Sequence, residues 1–420
     1  MTSLAHLLDA LPLDSLPHLL DPRGAGGWGS AALGVYPEVT FRGGLEALRE
    51  AERWLAQFRG APPLSALLIG SLGYELGHEL SGGRVPRRDG ATAPVCLAGF
   101  RALAVGDPTT GRPVVAGGCP RARAKLEALL ASLPRVEPAK PPALRAPLPR
   151  TSDSDFLCAV RRVQAYIRAG DVYQVNLARR LDLPAPDAPG LRSLYRALAD
   201  AAGAPFGAYL ETPERTLLSS SPELFLRAEG DAVETHPIKG TRPRAATPAD
   251  DAAQLRALLA SEKDRAEHVM IVDLERNDLG RVCQTGSVHL RELCAPRSFA
   301  DVHHLVSVVA GRLREPGDWV GLLEATFPGG SITGAPKLRA MQLIAELEPV
   351  ARDAYTGAVG WIDASGRMEL AIAIRTAIAA RGALHLHLGG GIVADSEPAA
   401  ELRETRDKGR GFARAWGFEP

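Results

Sequence analysis

The chain has 420 residues, more than the roughly 250–300 at which one hydrophobic core stops growing, so we expect two domains or one large layered unit. Its 49 basic and 49 acidic residues cancel, which argues against a nucleic-acid-binding or anionic-membrane surface. The five cysteines are scattered and never form a C-x-x-C pair, a pattern typical of reduced thiols rather than disulfides or a zinc site. Without a signal peptide or a long apolar run, the chain is expected to be cytoplasmic, with no membrane segment.

The first third of the chain is rich in glycine and in short elements. The spacing of its apolar residues predicts a helix over Leu45–Phe58 and strands over Ala66–Leu72 and Val95–Val105. A proline-rich stretch follows, and its prolines exclude both a helix and a central strand, which predicts an extended connector. The resulting divisions are an N-terminal region (1–133), the connector (134–150) and a second region (151–420).

The second region mixes helical and strand patterns. A helix is predicted over Asp153–Ala169, with Asp153 as its N-cap, and further helices over Asp250–Leu279 and Pro336–Leu347. Predicted strands lie over Val172–Leu181, Phe206–Leu210, Arg215–Ser219, Leu224–Arg227, Tyr355–Ile362, Arg367–Ile378 and Ala383–Leu388. A helix over Pro398–Trp416 closes the chain. Because strands and helices do not alternate strictly, we expect an α+β fold with antiparallel sheets.

One lysine has a rigid and cationic setting. Lys239 lies between a proline-containing run and a glycine in HPIKGTRPR, and Arg242 and Arg244 follow closely. Nearby positive charge and partial burial both disfavour the ammonium form, so this setting favours a lysine with a lowered pKa that can act as a nucleophile. A turn lysine that points into water explains the same nine residues, because most lysines are exposed.

Two pairs of acidic residues share a helical spacing. Asp264 and Glu267 lie three positions apart on one predicted helix, as Glu401 and Glu404 do on another, so each pair projects two carboxylates from one face. Should the pairs meet, they would form an all-oxygen site suited to Mg²⁺. Each pair alone is also typical of a solvated helix face, and Lys408 can be a simple i,i+4 partner of Glu404.

Two glycine-rich segments offer bare backbone to a ligand. Residues 329–337 (GGSITGAPK) lead into a predicted helix and favour an anion at its start, although their spacing is not that of a Walker loop. Gly389, Gly390 and Gly391 follow a predicted strand, where the backbone can approach a carboxylate or simply form a tight turn. His304 lies among apolar residues, and a hydrogen-bonded core histidine is its default explanation.

Together these segments resemble the chorismate-utilising enzymes, which include anthranilate synthase component I, aminodeoxychorismate synthase component I, isochorismate synthase and salicylate synthase. The resemblance covers about Thr151 to the C-terminus, whereas the N-terminal region matches only loosely, through Ile69–Gly77 and Leu19–Asp21. It implies an anthranilate synthase component I-like α+β fold, with two large stacked antiparallel β-sheets flanked by helices. The matching blocks are Pro237–Arg244, Asp264–Cys283, Phe327–Lys337, Tyr355–Trp361 and Gly389–Lys408.

The resemblance also implies roles for individual residues. Glu267 and Glu404 would bind Mg²⁺, with Asp264 and Glu401 as outer or water-mediated partners, and the metal would bind a carboxylate of chorismate. Glu223 matches the general acid that helps the ring hydroxyl to leave. The positions that match the substrate pocket are Gln174, Gly240, Thr241, His304, Tyr355, Arg375, Gly389, Gly390, Gly391 and Lys408.

Two positions distinguish the members of the family. Gln174 stands where the water-using members have a lysine, which implies ammonia as the nucleophile. Lys239 matches a lysine of the aminodeoxychorismate synthases and an alanine of typical anthranilate synthases. The expected activity is therefore amination of chorismate at C4, a transferase reaction that leads to p-aminobenzoate and folate. The alternative is anthranilate synthase component I.

Two features concern partners and regulation. No segment of the sequence resembles a glutamine amidotransferase, which implies a separate glutaminase subunit as a partner. Tryptophan-regulated members of the family carry a Leu-Leu-Glu-Ser motif near the N-terminus. The nearest match in this chain is Leu19-Leu20-Asp21-Pro22, which argues against tryptophan feedback.

Overall fold

The structure is a computed structural model that describes residues 4–23, 27–62, 64–83, 92–107, 112–299 and 302–418. These residues form two large antiparallel sheets with helices around them. None of the helices in these ranges is long and apolar enough to cross a membrane.

The helices and strands are numbered in chain order. The α-helices are α1 (Leu4–Leu7), α2 (Leu45–Ala56), α3 (Leu76–Leu80), α4 (Pro120–Ser132), α5 (Asp153–Arg168), α6 (Ala188–Ala202), α7 (Pro248–Leu259), α8 (Glu262–Gly280), α9 (Trp319–Thr326), α10 (Lys337–Leu347) and α11 (Pro398–Trp416). The strands are β1 (His18–Asp21), β2 (Ala32–Gly34), β3 (Val39–Gly43), β4 (Leu67–Leu72), β5 (Val95–Phe100), β6 (Leu103–Gly106), β7 (Pro113–Ala116), β8 (Leu148–Pro149), β9 (Gln174–Pro184), β10 (Phe206–Glu211), β11 (Arg215–Ser221), β12 (Leu224–Glu229), β13 (Ala232–Thr235), β14 (Ile238–Pro243), β15 (His289–Ser298), β16 (Val302–Arg312), β17 (Gly334–Ala335), β18 (Ala358–Asp363), β19 (Met368–Ile372), β20 (Thr376–Ala380) and β21 (Ala383–Ile392).

Both sheets draw strands from both ends of the chain. The 11-stranded sheet has the order β17-β9-β21-β20-β11-β10-β1-β2-β6-β7, with β8 beside β9. The 10-stranded sheet has the order β14-β16-β13-β12-β19-β18-β4-β5-β3, with β15 beside β16. In the larger sheet the N-terminal β1 pairs with β10, and in the smaller sheet β4 pairs with β18. The fold that the resemblance implied is therefore confirmed.

A hydrophobic core lies between the two sheets. Leu20 and Phe206 of the larger sheet join Ile69 and Val359 of the smaller sheet in one cluster of buried side chains. A separate cluster packs α2, α5, α9 and α10 against the smaller sheet and the start of β9. The sheets are therefore layered face to face, with helices covering their outer sides.

The chain changes sheets where the sequence predicted one continuous strand over Arg367–Ile378. Strand β19 belongs to the smaller sheet and β20 to the larger, and Arg375 lies between them with φ of 49°. Positive φ is uncommon for a residue other than glycine, and it ends the extended conformation here. The predicted strand over Val95–Val105 likewise divides, into β5 and β6 of different sheets.

Capping residues explain two further differences from the predicted helices. The long helix predicted over Asp250–Leu279 is divided into α7 and α8, because Ser261 caps the second helix by accepting from the amide of Asp264 at 3.2 Å. The expected cap Asp153 is wrong: Ser152 caps α5 instead, since its Oγ accepts from the amide of Asp155 at 3.1 Å. The last helix, α11, begins and ends where predicted.

Candidate active site

Lys239 and Glu223 are joined through one serine. Lys239 lies on β14, and its Nζ donates to the backbone carbonyl of Ser331 at 3.1 Å. The hydroxyl of the same Ser331 donates to Oε1 of Glu223 at 2.6 Å. The candidate nucleophile and the candidate acid therefore share a neighbour on the glycine-rich loop.

A bulge in β14 directs the Lys239 side chain. The register of β14 against β16 shifts between Lys239 and Thr241, and Gly240 between them has φ of 76°. A Cβ at Gly240 would lie 3.0 Å from Leu258 Cδ1 and 3.3 Å from Asp264 Cβ, so both the backbone angle and the space favour glycine. Such bulges re-aim a side chain next to functional sites.

The pKa of Lys239 lies below its ordinary value. Burial is the main cause, and the ammonium group of Lys408 adds repulsion. Glu223 and the acids of α8 and α11 act in the opposite direction without cancelling these effects. The neutral amine is therefore more accessible than in an exposed lysine.

The two arginines that follow Lys239 do not account for this shift. Arg242 is paired with Asp264 at 2.8 Å, and Arg244 with Asp251 at 2.8 Å. The sequence predicted the direction of the pKa shift and burial as one of its causes, but Arg242 and Arg244, to which it assigned the positive charge, are not among the main causes.

Burial favours the protonated form of the Glu223 carboxyl. Its side chain is buried, and burial raises its pKa, although the Ser331 hydroxyl and the nearby Lys239 oppose this rise. The amide of Ile238 also lies 3.5 Å from Oε1. A buried acid with a raised pKa can donate a proton near neutral pH.

The acids of α11 gather around Gly390. A Cβ on Gly390 would lie 3.3 Å from Glu404 Oε1, 3.4 Å from Lys408 Nζ and 3.5 Å from Glu401 Oε2. Lys408 pairs with Glu404 at 2.7 Å and donates to the carbonyl of Gly389 at 2.7 Å. Even the Cβ of an alanine at position 390 would therefore be in direct contact with these groups.

The acids of α8 face those of α11. Burial raises the pKa of Glu267, and repulsion from Asp264 and Glu401 raises it further. Burial also raises the pKa of Glu401, and Glu404 adds to this, while Ser396 donates to Glu401 at 2.6 Å. The two predicted pairs therefore meet, and they oppose like charges to one another.

The carboxylates of α8 and α11 suit a hard cation that keeps some of its own water ligands. Within the described ranges, no group of three or more His, Cys, Asp or Glu residues is arranged to hold a metal ion. Mg²⁺ usually takes one or two carboxylates and completes its octahedron with water and substrate, so a finished cage is not required. Half-buried carboxylate oxygens fit such an ion chemically, although Asp264, Glu267 and Glu404 are each paired with a basic side chain in this structure.

His304 is neutral and fixed. Its Nδ1 lies 2.9 Å from Thr241 Oγ1 and 3.2 Å from the carbonyl of Gly240. Burial, with a contribution from Arg375, lowers the pKa of His304 to about 4. Because a carbonyl can only accept, the contact with Gly240 places the proton on Nδ1 and leaves Nε2, which has no hydrogen-bond partner, as an acceptor.

The triple glycine continues β21 instead of forming a turn. Gly389, Gly390 and Gly391 pair in register with β9, so the tight-turn explanation is wrong. The Gln174 amide lies against this strand, since a Cβ on Gly391 would be 2.9 Å from Gln174 Nε2. Gln174 is fully buried, and neither of its amide atoms has a hydrogen-bond partner among the residues that the structure describes.

Tyr355 is placed differently from the other candidates. Its ring stacks on His387 with centroids 5.1 Å apart, and Arg352 lies 5.9 Å from the ring centroid. Burial raises the pKa of its hydroxyl. Among the described residues, the ring contacts of Tyr355 are therefore with His387 and Arg352.

The sequence did not single out Ser331 or the second acid pair of α8. Glu275 and Asp278 also lie three positions apart on α8; Glu275 Oε1 accepts from the Gly330 amide at 2.8 Å, and Asp278 pairs with Lys337. Their signal was present in the matched blocks, as a serine after two glycines and a repeat of the acidic spacing.

Comparison with known proteins gives the family. The sequence model of the chorismate binding enzymes matches residues 22–414. The chain belongs to this family. Within the family it is 40% identical to anthranilate synthase component 1 of Streptomyces coelicolor over 399 residues, which cover 88% of this chain and 77% of that relative. It is 50% identical to aminodeoxychorismate synthase component 1 of Klebsiella aerogenes over 248 residues, which cover 59% of this chain and 54% of that relative.

Solved structures of the family share the architecture. Anthranilate synthase component I from Streptococcus pneumoniae superposes with a TM-score of 0.79 at 27% identity, covering 96% of this chain and 93% of the other. The isochorismate synthase MenF from Escherichia coli gives a TM-score of 0.78 at 20% identity, covering 97% and 91%, and shows the fold alone. The relatives therefore establish the family but divide between reactions, and several curated relatives are matched over only about half of their length.

Proposed function

We propose that the chain aminates chorismate at C4 to give 4-amino-4-deoxychorismate, a precursor of p-aminobenzoate and folate. The observation that carries this proposal is the joined position of Lys239 and Glu223. The amine of Lys239 has a lowered pKa and the buried carboxyl of Glu223 a raised one, and both groups hydrogen-bond to the same residue, Ser331. Relatives named aminodeoxychorismate synthase component 1, at 44–50% identity, support the same reaction.

The proposed reaction has two displacements. Neutral Lys239 Nζ attacks C2 of chorismate, both conjugated ring double bonds shift by one position, and the C4–O bond breaks. Glu223 gives its proton to the departing hydroxyl, which leaves as water. Ammonia then attacks C4, both double bonds shift back, and the C2–N bond to Lys239 breaks. The new ammonium group returns a proton to Glu223, so one chorismate and one ammonia give one product and one water.

We also propose that Glu267 and Glu404 hold Mg²⁺, with Asp264 and Glu401 as outer partners. When bound, the ion supplies positive charge for a substrate carboxylate. The position of Glu401 of α11 close enough to add like charge to Glu267 of α8 supports this assignment.

The protein's own groups can bind the substrate carboxylates and ring. In this proposal Arg375, Lys408, Tyr355 and the backbone of Gly389–Gly391 contact the carboxylates, because a guanidinium suits bidentate contact and a glycine strand admits close approach. The remaining pocket residues are Gln174, Gly240, Thr241 and His304. The orphaned amide of Gln174 supports its place at the ligand.

Ammonia is proposed to come from a separate glutaminase subunit. The relatives are named component 1, which supports a second component. We expect the purified chain to convert chorismate with ammonium salts at alkaline pH, where more of the ammonium is present as ammonia, and to be inactive with glutamine alone. Product formation is followed by chromatography. Turnover with glutamine alone would contradict the proposed need for a partner.

Product identity tests the central proposal. With chorismate, ammonia and Mg²⁺, the product should be 4-amino-4-deoxychorismate, which a lyase converts to p-aminobenzoate. With chorismate and no ammonia, Lys239 should carry a covalent adduct, detected by intact mass and peptide mapping after acid quench. Lys239→Ala should lose the adduct and at least about a hundredfold in rate. Arg244→Ala is the matched control, because it removes a nearby cation whose contacts are with Asp251 and the carbonyl of Phe299.

One observation favours a second reaction. The match to an anthranilate synthase component 1 covers 88% of this chain, more than the 59% covered by the match to the Klebsiella aminodeoxychorismate synthase. In that reaction ammonia attacks C2 directly and Lys239 is a bystander. Release of fluorescent anthranilate by a chain that never carries an adduct would establish this alternative.

A further inference from the structure

Ser331 uses two different atoms to contact the two reacting groups. Its hydroxyl donates to Glu223 Oε1 at 2.6 Å, while its backbone carbonyl accepts from Lys239 Nζ at 3.1 Å. The side chain is buried, so water does not compete for either contact. Because one contact uses the side chain and the other the backbone, a substitution can remove the first and keep the second.

The loop around Ser331 is held from both sides. On one side Glu275 of α8 accepts from the Gly330 amide at 2.8 Å. On the other, Thr333 Oγ1 donates to the carbonyl of Gly329 at 2.9 Å. A Cβ on Gly330 would lie 2.6 Å from Leu274 Cδ2, so the loop packs directly on α8. Ser331 is therefore presented by a fixed backbone.

We propose that Ser331 is the positioning residue of the reaction, orienting the Glu223 carboxyl through its hydroxyl and the Lys239 amine through its carbonyl. This inference rests on the proposed function, and no substrate contact is assigned to Ser331 itself.

The two contacts determine which atoms remain for chemistry. A neutral amine has two N–H donors and one lone pair, so donation to the Ser331 carbonyl turns the lone pair away from that carbonyl. At Glu223, both Ser331 and the Ile238 amide approach Oε1. Oε2 is therefore the oxygen that carries the proton for the leaving hydroxyl.

The charged groups that face Glu223 come from three other elements. Lys239 on β14 and Lys408 on α11 favour its ionised form, and Glu275 on α8 interacts with it as a like charge. The hydrogen bond from Ser331 also favours the ionised form. Removing the Ser331 hydroxyl, with the other groups in place, should therefore shift the protonation of Glu223 to higher pH.

The test compares Ser331→Ala with Thr333→Val. Each removes one buried hydroxyl from the same loop, but Thr333 does not contact Glu223 or Lys239. The protonation of Glu223 is followed by infrared spectroscopy of its carboxylic-acid C=O band, identified as the band missing in Glu223→Gln. Adduct formation on Lys239 is timed by acid quench and intact mass. Ser331→Cys, a weaker donor of similar shape, supplies the same measurements should the alanine variant not fold.

In Ser331→Ala the midpoint of the Glu223 band should rise by about one pH unit, since a hydrogen bond to a charged group is lost. Adduct formation should slow by about tenfold to a hundredfold, with the half-saturating chorismate concentration changed less than about twofold. Thr333→Val should change neither readout. An unchanged midpoint and rate in Ser331→Ala, or equal losses in Thr333→Val, would overturn the positioning role.

Failure of the proposed function is a separate outcome. In that case the wild-type chain would release anthranilate and carry no adduct, whatever the Ser331 variants do. A wild-type chain that forms the adduct and 4-amino-4-deoxychorismate, together with an unaltered Ser331→Ala, would overturn the role of Ser331 alone.

Discussion

Helix α8 carries two acid pairs with the same spacing and different surroundings. Asp264 and Glu267, near its N-terminus, are partly exposed and face the acids of α11. Glu275 and Asp278, near its C-terminus, are buried against the 329–333 loop and Lys337. The spacing places each pair on one face of the helix, but it does not determine what that face meets.

The difference separates a pair that we propose to bind a cation from a pair that is ion-paired and hydrogen-bonded inside the protein. At the N-terminal end, burial raises the pKa of Glu267, and the like charges of Asp264 and Glu401 add to this rise against the opposing charges of Lys239 and Lys263. At the C-terminal end, Lys337 already neutralises Asp278, and a backbone amide occupies Glu275. Substitutions in the N-terminal pair should therefore lower activity more than stability, and substitutions in the C-terminal pair should lower stability more than activity.

The largest effect is expected at the ligand end. Glu404→Ala and Glu267→Gln should each lower the rate of chorismate consumption by about a thousandfold, because the loss of metal binding removes several kcal/mol of charge stabilisation. Their free energies of unfolding in urea should change by less than about 1 kcal/mol. Glu262→Ala, an exposed residue of the same helix, is the control. EDTA should abolish wild-type activity and Mg²⁺ should restore it; a Glu404→Ala variant fully active in excess EDTA would contradict the metal site.

The structural end should show the reverse. Asp278→Asn leaves the partly buried Lys337 ammonium with the carbonyl of Thr326 but without its charged partner, and we expect a loss of about 3 kcal/mol in the free energy of unfolding, measured in urea. The double variant Asp278→Leu/Lys337→Met should regain part of this loss, because no buried charge is left alone. If Asp278→Asn unfolds at the same urea concentration as the wild type, the ion pair contributes nothing and the contrast along α8 fails.

The smallest effect concerns pH. Burial, with repulsion from Asp278, raises the pKa of Glu275 from 4.5 to about 7. The folded state therefore holds a proton that the unfolded state releases, so this contribution to stability is full below about pH 4.5 and is lost as the pH rises through about 7. Glu275→Gln should remove this pH dependence of the free energy of unfolding. As the pH rises from about 4.5 to about 7, the free energy of unfolding of the wild type should therefore fall by about 2 kcal/mol relative to that of the variant. Urea titrations at several pH values measure it, and parallel curves for the two chains would refute the raised pKa.

The sequence predicted regular elements well where one pattern ran between clear end signals. Helix α11 runs over Pro398–Trp416, as predicted, with a proline in its first turn and Gly417 in a left-handed C-cap. The prediction from sequence was wrong where the chain changes sheets, because the strand pattern of β19 and β20 continues across the break at Arg375. Alternation of apolar residues records a strand's faces but not the sheet to which it belongs.

The site was predictable in its parts but not in its connections. The spacing of Glu401 and Glu404 and the setting of Lys239 pointed to their candidates. Ser331 was missed because its two partners lie 92 and 108 residues away in the chain, beyond any local pattern. The contribution of Lys408 to the Lys239 pKa shift was missed for the same reason, since it acts through the tertiary structure.

The pairing of β4 with β18 has a consequence for synthesis of the protein. Every residue of β4 is buried in the finished fold, yet one of its two neighbouring strands, β18, lies near the far end of the chain. During translation β4 and β5 therefore leave the ribosome long before β18 is synthesised. The edge of β4 that pairs with β18 stays unpaired while most of the chain is translated. Open apolar edges pair readily with other chains. We expect translation products that stop before Ala358 to aggregate, and the complete chain to depend on protection of that edge until synthesis is nearly finished.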